Sequence, residues 1–403
     1  MRDQESLRGR ETADAVVIGG GVAGLVVARA LAQRGVQRVT LIERAGLGAE
    51  ASCAAAGMLA AQVEADHADD FLKLACASRN LYPAFSEALL EETGIDIELE
   101  RTGTLYLAFN EADEALMAHR YEWQSRAGLL VERLSADEAR RLEPCISARV
   151  RGALKFPLDG QVENRRLVAA LAVAVEKCGV RLLIGMNVEA LRIERGRING
   201  VLTARGAIDA PVVVVAGGAW ASLLGASSGS LTNATTTTLS SGSWDSHAPD
   251  IRIEPVRGQM LCFEARPRLA RHVIYSPRGY IVPRLDGRVL AGSTTEHAGY
   301  DKRVTCEGVN TIMTNALEIA PAVGELPLLD SWAGLRPRAA AGLPVLGGCA
   351  DVRGLYYAAG HYRNGILLAP VTGDLLAEEI VSGRASPMLT AFSPDRFQCV
   401  GVN

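Results

Sequence analysis

The 403-residue chain has little charge of one sign, no long apolar run and no paired cysteines. Forty-two basic residues against 46 acidic ones leave a net charge of −4, too small a field to recruit nucleic acid or an anionic membrane. The longest apolar run, around Val212 to Leu224, is too short and too rich in glycine to span a bilayer. The eight cysteines are scattered singly, with no C-x-x-C and no His/Cys ligand spacing, so a reduced protein without a structural metal is expected. Met1 to Thr12 is polar and charged and has no apolar h-region, which predicts a cytoplasmic setting. The remaining 48% apolar and 22% charged composition suits a soluble globular chain with room for two or three domains.

What the sequence does have is a glycine turn in a strand-to-helix context. Ala15 to Ile18 is a continuous apolar run rich in β-branched residues, and Gly19, Gly21 and Gly24 follow at the spacing G-x-G-x-x-G. Gly19 makes the tight turn, Gly21 leaves room for a pyrophosphate, and Gly24 lets a helix pack on the strand. The helix begins at Val22 and Ala23, whose end N–H groups face the phosphates, and Gly35 stops it. A second strand, Arg38 to Ile42, ends at Glu43 and Arg44, about twenty residues past the glycines. A carboxylate there accepts bonds from both ribose hydroxyls and repels a 2′-phosphate. The pattern is that of a dinucleotide-binding βαβ unit.

Further along, residues 46–61 are almost all small and follow the end of that strand. They include Ser52, Ala55, Ala56, Gly57 and Met58, and small side chains suit backbone lying against a flat ring. A helix is expected over 69–93, a hairpin over 97–109, and helices over 111–127 and 137–143. A helix over 161–178 leads to strands at 180–184 and 188–193, the latter opening at Val188, and to a small hairpin. The buried strand 212–216 ends at Ala216 and the pair Gly217-Gly218, a second close backbone approach to a ligand. Residues 226–249 are low-complexity Ser/Thr/Gly and read as a flexible insertion. Short strands between 255 and 293, with Asp286-Gly287 as a hairpin signal, read as an antiparallel sheet. A last strand at 355–359, a polar glycine turn and a final helix over 366–381 complete the chain.

The expected class is α/β, α+β overall: a Rossmann-like domain from residues 13–82, 150–225 and 331–385, with an antiparallel-sheet substrate domain from 83–149 and 250–330. Residues 1–12 and 386–403 are read as tails.

There is a single G-x-G-x-x-G. A flavin reductase drawing on NAD(P)H needs a second nucleotide site, and an NAD enzyme should read as a compact dehydrogenase. A nucleotide domain interrupted twice and completed at the C-terminus favours FAD, with electrons taken directly from an organic substrate. Arg336, in a stiff loop beside Gly334 and Pro337, is placed to clamp a carboxylate with two parallel bonds. Tyr280 offers a third donor, and Arg363 sits in the turn before the last helix. The N-terminus of that helix, at Asn364, Gly365, Ile366 and Leu367, suits the negative charge that develops on a flavin pyrimidine. His361, beside the same cofactor, reads as a turn residue satisfied by backbone rather than as a base.

Five stretches carry a family resemblance: Val-Val-Ile-Gly-Gly-Gly-Val-Ala-Gly (16–24), Ala-Ala-Ala-Gly-Met-Leu (54–59), Tyr-Ile-Val-Pro-Arg (280–284), Trp-Ala-Gly-Leu-Arg-Pro (332–337) and Gly-His-Tyr-Arg-Asn-Gly-Ile-Leu-Leu-Ala-Pro (360–370). Over about residues 13 to 385 the chain resembles the glycine oxidases of thiamine biosynthesis, within the D-amino-acid-oxidase-like flavoproteins. The resemblance implies non-covalent FAD and oxidative deamination of glycine, sarcosine or D-alanine. The products are an imine or glyoxylate, ammonia and hydrogen peroxide, with molecular oxygen as acceptor. It also implies a homotetramer. By resemblance Arg336 binds the substrate carboxylate, Tyr280 assists, and Arg363 lies nearby. Gly57 and Met58 lie by the isoalloxazine, and Val188 by the adenine end. The alternatives are a related dehydrogenase passing electrons to a quinone or carrier, and a non-redox nucleotide-binding regulatory protein. The acidic balance disfavours flavin-dependent RNA modification.

Overall fold

The computed structural model describes residues 11–224 and 251–397. The insertion expected at 226–249 lies outside the described residues, as do 1–10 and 398–403.

The glycine turn is set in a six-stranded sheet. Its order is Val345–Gly348, Leu355–Ala359, Val213–Val215, Ala15–Ile18, Val39–Glu43 and Arg181–Ile184, all parallel except the first pairing. Alternation along a strand sends successive side chains to opposite faces. Ala15 and Val17 pack into the helices Val22–Gln33, Asp70–Thr93, Asn164–Lys177 and Ala369–Ser382. Val16 and Ile18 pack the other way, with Val188, Ile193, Ile198 and Ile208 of a four-stranded sheet. Val17 and Val214 are wholly buried, and each such side chain stabilises the layer by roughly 1.5–3 kcal/mol.

An eight-stranded sheet lies beside this unit. Its order is Leu328–Ala339, Ile253–Glu264, Arg288–Gly292, Gly279–Pro283, Val273–Ser276, Thr104–Ala108, Gly152–Phe156 and Glu132–Ser135. The same alternation divides its faces. Leu261, Phe263, Ile281 and Ala291 pack with Ile312 and Ala316 of the helix Cys306–Ile319. Met260, Cys262, Tyr280 and Val282 face Ala56 instead. The second face therefore looks toward the small-residue loop of the nucleotide unit.

Several expectations need correction. The hairpin over 97–109 is one strand, Thr104–Ala108, which pairs with distant partners on both sides; Glu98 at φ +55° and Gly103 at φ +91° turn the backbone before it. The helix Asp70–Thr93 is one rod capped by Asp69, and its Leu89 lies in the same core as Val17, so residue 82 is no boundary. Gly152–Phe156 and Leu328–Ala339 belong to the eight-stranded sheet, so the nucleotide unit resumes later than residues 150 and 331. The stiff loop expected at Arg336 is thus a strand. Pro337 is tolerated there because it faces Pro255 in register, at a pair where neither N–H is required. Gln161 pairs with Met58 as strand, and the helix after it starts at Asn164. The residues read as tail are partly structured: Glu11–Thr12 joins the four-stranded sheet, and Pro387–Phe392 buries Leu389 and Phe392. Among the described residues, no helix is long and apolar enough to cross a membrane.

Candidate active site

The nucleotide end of the site is backbone. Gly19 has φ +108°, and a Cβ there would stand 2.4 Å from the Ala216 carbonyl oxygen. At Gly24 a Cβ would meet the Gly19 carbonyl at 1.9 Å, which confines the helix to glycine at that contact. Glu43 is fixed by two N–H donors, Gly20 and Ala45, each at 2.7 Å. The helix Val22–Gln33 has no acid in its first turn, and Val22 N–H donates to Ser52 Oγ at 2.9 Å. The positive end of a 12-residue helix thus opens on a cleft.

The small-residue loop forms one wall, held by partners from elsewhere. The Trp332 indole N–H donates to the Ala54 carbonyl at 3.0 Å, and Gly334 packs so closely on Ala54 that a Cβ would lie 2.6 Å from the alanine methyl. Asn164 donates to the Ser52 carbonyl at 2.8 Å. Gly57, at φ +69°, leaves no space for a side chain against the Val162 carbonyl at 2.1 Å. Arg284 is the chief anchor. Its guanidinium is buried and donates to Ala56 O at 2.9 Å, Val162 O at 2.6 Å, Asn164 Oδ1 at 3.0 Å and Gln161 Oε1 at 3.2 Å. Arg284 ends the Tyr-Ile-Val-Pro-Arg stretch, and no local feature of the sequence marks this anchoring role.

At the other end Arg336 reaches from its strand into the cleft. Its guanidinium donates to Ser293 Oγ at 2.7 Å and the Thr294 carbonyl at 3.0 Å. Among the described residues it has no carboxylate within ion-pair distance, although Glu64 lies near enough to feel its charge. Gly258, on the neighbouring strand, makes the space: a Cβ there would lie 2.2 Å from the guanidinium. Among the described residues the Tyr280 hydroxyl donates only to Met260 Sδ, a weak acceptor, at 3.3 Å. Tyr280 also stacks on Tyr275, with ring centroids 6.1 Å apart.

The turn after the last strand closes the site. Tyr362, at φ +49°, occupies a conformation unusual for a bulky residue. Arg363 is exposed at the rim and donates to Thr295 Oγ1 at 2.7 Å. His361 is buried, and its Nε2 lies 3.1 Å from Thr372 Oγ1. Its partner is therefore a side chain, not the backbone. Burial pushes its pKa down to about 4, so the imidazole is neutral at pH 7. Gly365 to Leu368 form turns, and the final helix begins only at Ala369. The expected helix N-terminus at Asn364 is displaced because Pro370 needs a first-turn position.

Together these groups line a cleft of about 1110 Å³, part of it open to solvent. Gly21, Val22, Ala23, Ser52, Ala55, Ala56, Gly57, Met58, Ala216 and Gly334 line it, as do Tyr280, Arg336, His361, Arg363, Asn364, Gly365 and Ile366. Gly19, Gly24 and Glu43 support it from behind. Besides these three, four further candidates are not brought to its wall. Gly217 is replaced by Gly218. Leu367 is buried among helices, its carbonyl taken by Ser78. Val188 packs in the core of the four-stranded sheet. Arg44 pairs with Glu50 at 3.0 Å and lies 3.8 Å over the Trp220 ring. Glu64, Gly258, Met260 and Ser293 line the cleft unforeseen. A glycine in the middle of a strand was the one signal available, at Gly258. A helix end beside a glycine turn, a wall of small residues and a ribose-type carboxylate fit a flavin dinucleotide.

Comparison with known proteins agrees with this geometry. A glycine oxidase from Geobacillus kaustophilus is 36% identical over 386 residues, covering 95% of this chain and 97% of that protein. A bifunctional protein ThiO/ThiG from Synechocystis is 34% identical over 394 residues, covering 96% of this chain and 54% of that protein. The crystal structure of the Geobacillus kaustophilus glycine oxidase superposes with a TM-score of 0.87 at 34% identity, over 98% of this chain and 100% of that one. The FAD dependent oxidoreductase (DAO) family matches residues 14–379, and the chain belongs to that family.

Proposed function

We propose that the chain is a glycine oxidase, converting glycine and small amines such as sarcosine and D-alanine to their imines; the imine from glycine hydrolyses to glyoxylate and ammonia, and the others to the corresponding oxo acid and ammonia or amine. One observation carries this reading: an Arg336 guanidinium with no ion-pair partner among the described residues shares a cleft with the weakly bonded Tyr280 hydroxyl. Two donors of that kind fix a carboxylate in position and orientation. The glycine turn, Ser52 and the 55–58 loop would hold FAD, which supplies two-electron oxidation of the amine and reoxidation by oxygen to hydrogen peroxide.

The chain's own residues do the rest. Arg336 and Tyr280 bind the carboxylate and leave the substrate Cα free to face the Gly57–Met58 wall. Arg363 guards the rim. His361, neutral and bonded to Thr372, adds no charge near the reacting atoms. The imine fits a supply of the thiazole part of thiamine. The reading extends to a cytoplasmic setting and a homotetramer, the latter measurable by sedimentation.

The test is an absorbance spectrum of the purified holoprotein, then anaerobic glycine, then air. Bleaching of the flavin by glycine, and recovery with peroxide in air, is the expected result. A flavin untouched by glycine, sarcosine and D-alanine would overturn the reading.

A further inference from the structure

Glu64 is a carboxylate in the cleft that takes no part in the glycine turn or the carboxylate clamp. It follows the short strand Met58–Leu59 and lines the same space as Arg336, Tyr280 and Arg363. Among the described residues it makes neither a hydrogen bond nor an ion pair. Burial pushes its pKa up, against the pull of Arg363 and Arg336. A partly buried carboxylate without a partner is costly, so its place needs support.

That support is a buried polar network. Asp159, wholly buried, accepts from Gln62 N–H at 3.2 Å, Val63 N–H at 3.0 Å and Arg79 Nη1 at 3.1 Å. The Gln62 side chain, also wholly buried, accepts from Arg79 at 2.8 Å and donates to Gln124 at 3.1 Å. Arg120 donates to the Val63 carbonyl. All but the Arg79–Asp159 bond hold the two residues just before Glu64 directly, and that bond holds the carboxylate that grips them. Satisfied buried networks hold a unique conformation.

From this placement we infer that Glu64 receives the substrate's amino group, making it a specificity-determining residue in the same cleft as the carboxylate clamp. The inference rests on the amino-acid reading of the cleft. Arg336 and Tyr280 take the anionic end of an amino acid, and Glu64 accepts an N–H bond from the other end, whether ammonium or neutral amine. The same charge repels a second carboxylate, so a diacid such as iminodiacetate is a poor substrate.

The test compares wild-type holoenzyme with Glu64→Gln and Glu64→Asp, flavin content being checked first by absorbance. Glycine affinity is read from anaerobic flavin reduction, and acetate, which has the carboxylate but no amine, from its perturbation of the flavin spectrum. In Glu64→Gln the glycine Kd should rise by about tenfold or more while acetate changes by less than about twofold. Iminodiacetate should gain on glycine in kcat/KM, and Glu64→Asp should recover part of the glycine affinity. Equal weakening of glycine and acetate, or unchanged glycine affinity, would overturn the role of Glu64 alone. A wild-type flavin that glycine does not reduce would overturn the amino-acid reading and this inference with it.

Discussion

The two ends of the cleft are built by opposite means. At the nucleotide end the sequence removes side chains: Gly19, Gly24 and Gly57 sit where a Cβ would collide with a carbonyl at 2.4, 1.9 and 2.1 Å. At the substrate end it adds polar side chains with hydrogen-bonding capacity left over: Arg336, Tyr280 and Glu64. A site of backbone dipoles binds a large, fixed cofactor without reorganising. A site of side chains discriminates between small substrates, but each group must be held in place by others. The difference predicts where substitutions act on cofactor and where on substrate.

Arg284 ties the two ends together, so its loss has the largest expected effect. Arg284→Met would leave the Ala56 and Val162 carbonyls and the Gln161 and Asn164 side-chain oxygens without their buried donor. Removing one member of such a buried charged cluster costs about 3–5 kcal/mol. Denaturant unfolding should show that loss, together with weaker flavin retention. An unchanged unfolding midpoint would mean that the loop holds itself.

Arg336→Ala acts on one end only. Loss of the carboxylate clamp should lower kcat/KM for glycine by about a hundredfold or more, on the scale of about 3 kcal/mol for a charge-assisted bidentate contact. FAD content should remain at the wild-type level, because Arg336 bonds Ser293 and Thr294 and touches none of the glycine turn. Loss of flavin in this variant would break the division between the ends.

The same division explains what could be read in the sequence. Gly19, Gly21, Gly24 and Glu43 are near one another along the chain, so local spacing marks the glycine turn, whereas the expected placements of Arg44, Val188 and Gly217 at the cleft depend on contacts that spacing does not show. Arg336 and Tyr280 were also picked out, since an arginine beside Pro337 is visible as a residue. That Arg336 stands on a strand, with Gly258 cleared for it, depends on a pairing between residues nearly eighty positions apart along the chain. Glu64 follows an alanine-rich run and looks like any surface acid until Asp159 and Arg79 are seen beneath its backbone. Apolar periodicity continues through the Asn364 turn and reads as helix, while the actual start is set by Pro370.

A third prediction tests whether the nucleotide end stays uncharged. His361 has its pKa depressed to about 4 by burial, against an unfolded value of 6.5. The unfolded chain therefore binds the extra proton between these values. Its contribution is complete above about pH 6.5, is lost as pH falls toward 4, and then levels off, amounting to about 3 kcal/mol. Other acids titrate in the same window, so the measure is the difference between wild type and His361→Gln in unfolding free energy across it. The variant should show the shallower slope, and equal slopes would place a charge-tolerant imidazole in the cleft.

The smallest expected effect isolates one clamp on the loop. Trp332→Phe removes the bond to the Ala54 carbonyl but keeps an aromatic ring beneath Arg165, whose guanidinium lies 5.1 Å from the indole. One neutral hydrogen bond contributes about 1 kcal/mol. Because Ala54 belongs to the cofactor wall and Trp332 to the substrate sheet, that loss should appear as a severalfold weaker FAD affinity with glycine KM unchanged. A shift in KM with FAD affinity intact would mean that the loop positions substrate as well, and the two ends would have to be treated as one site.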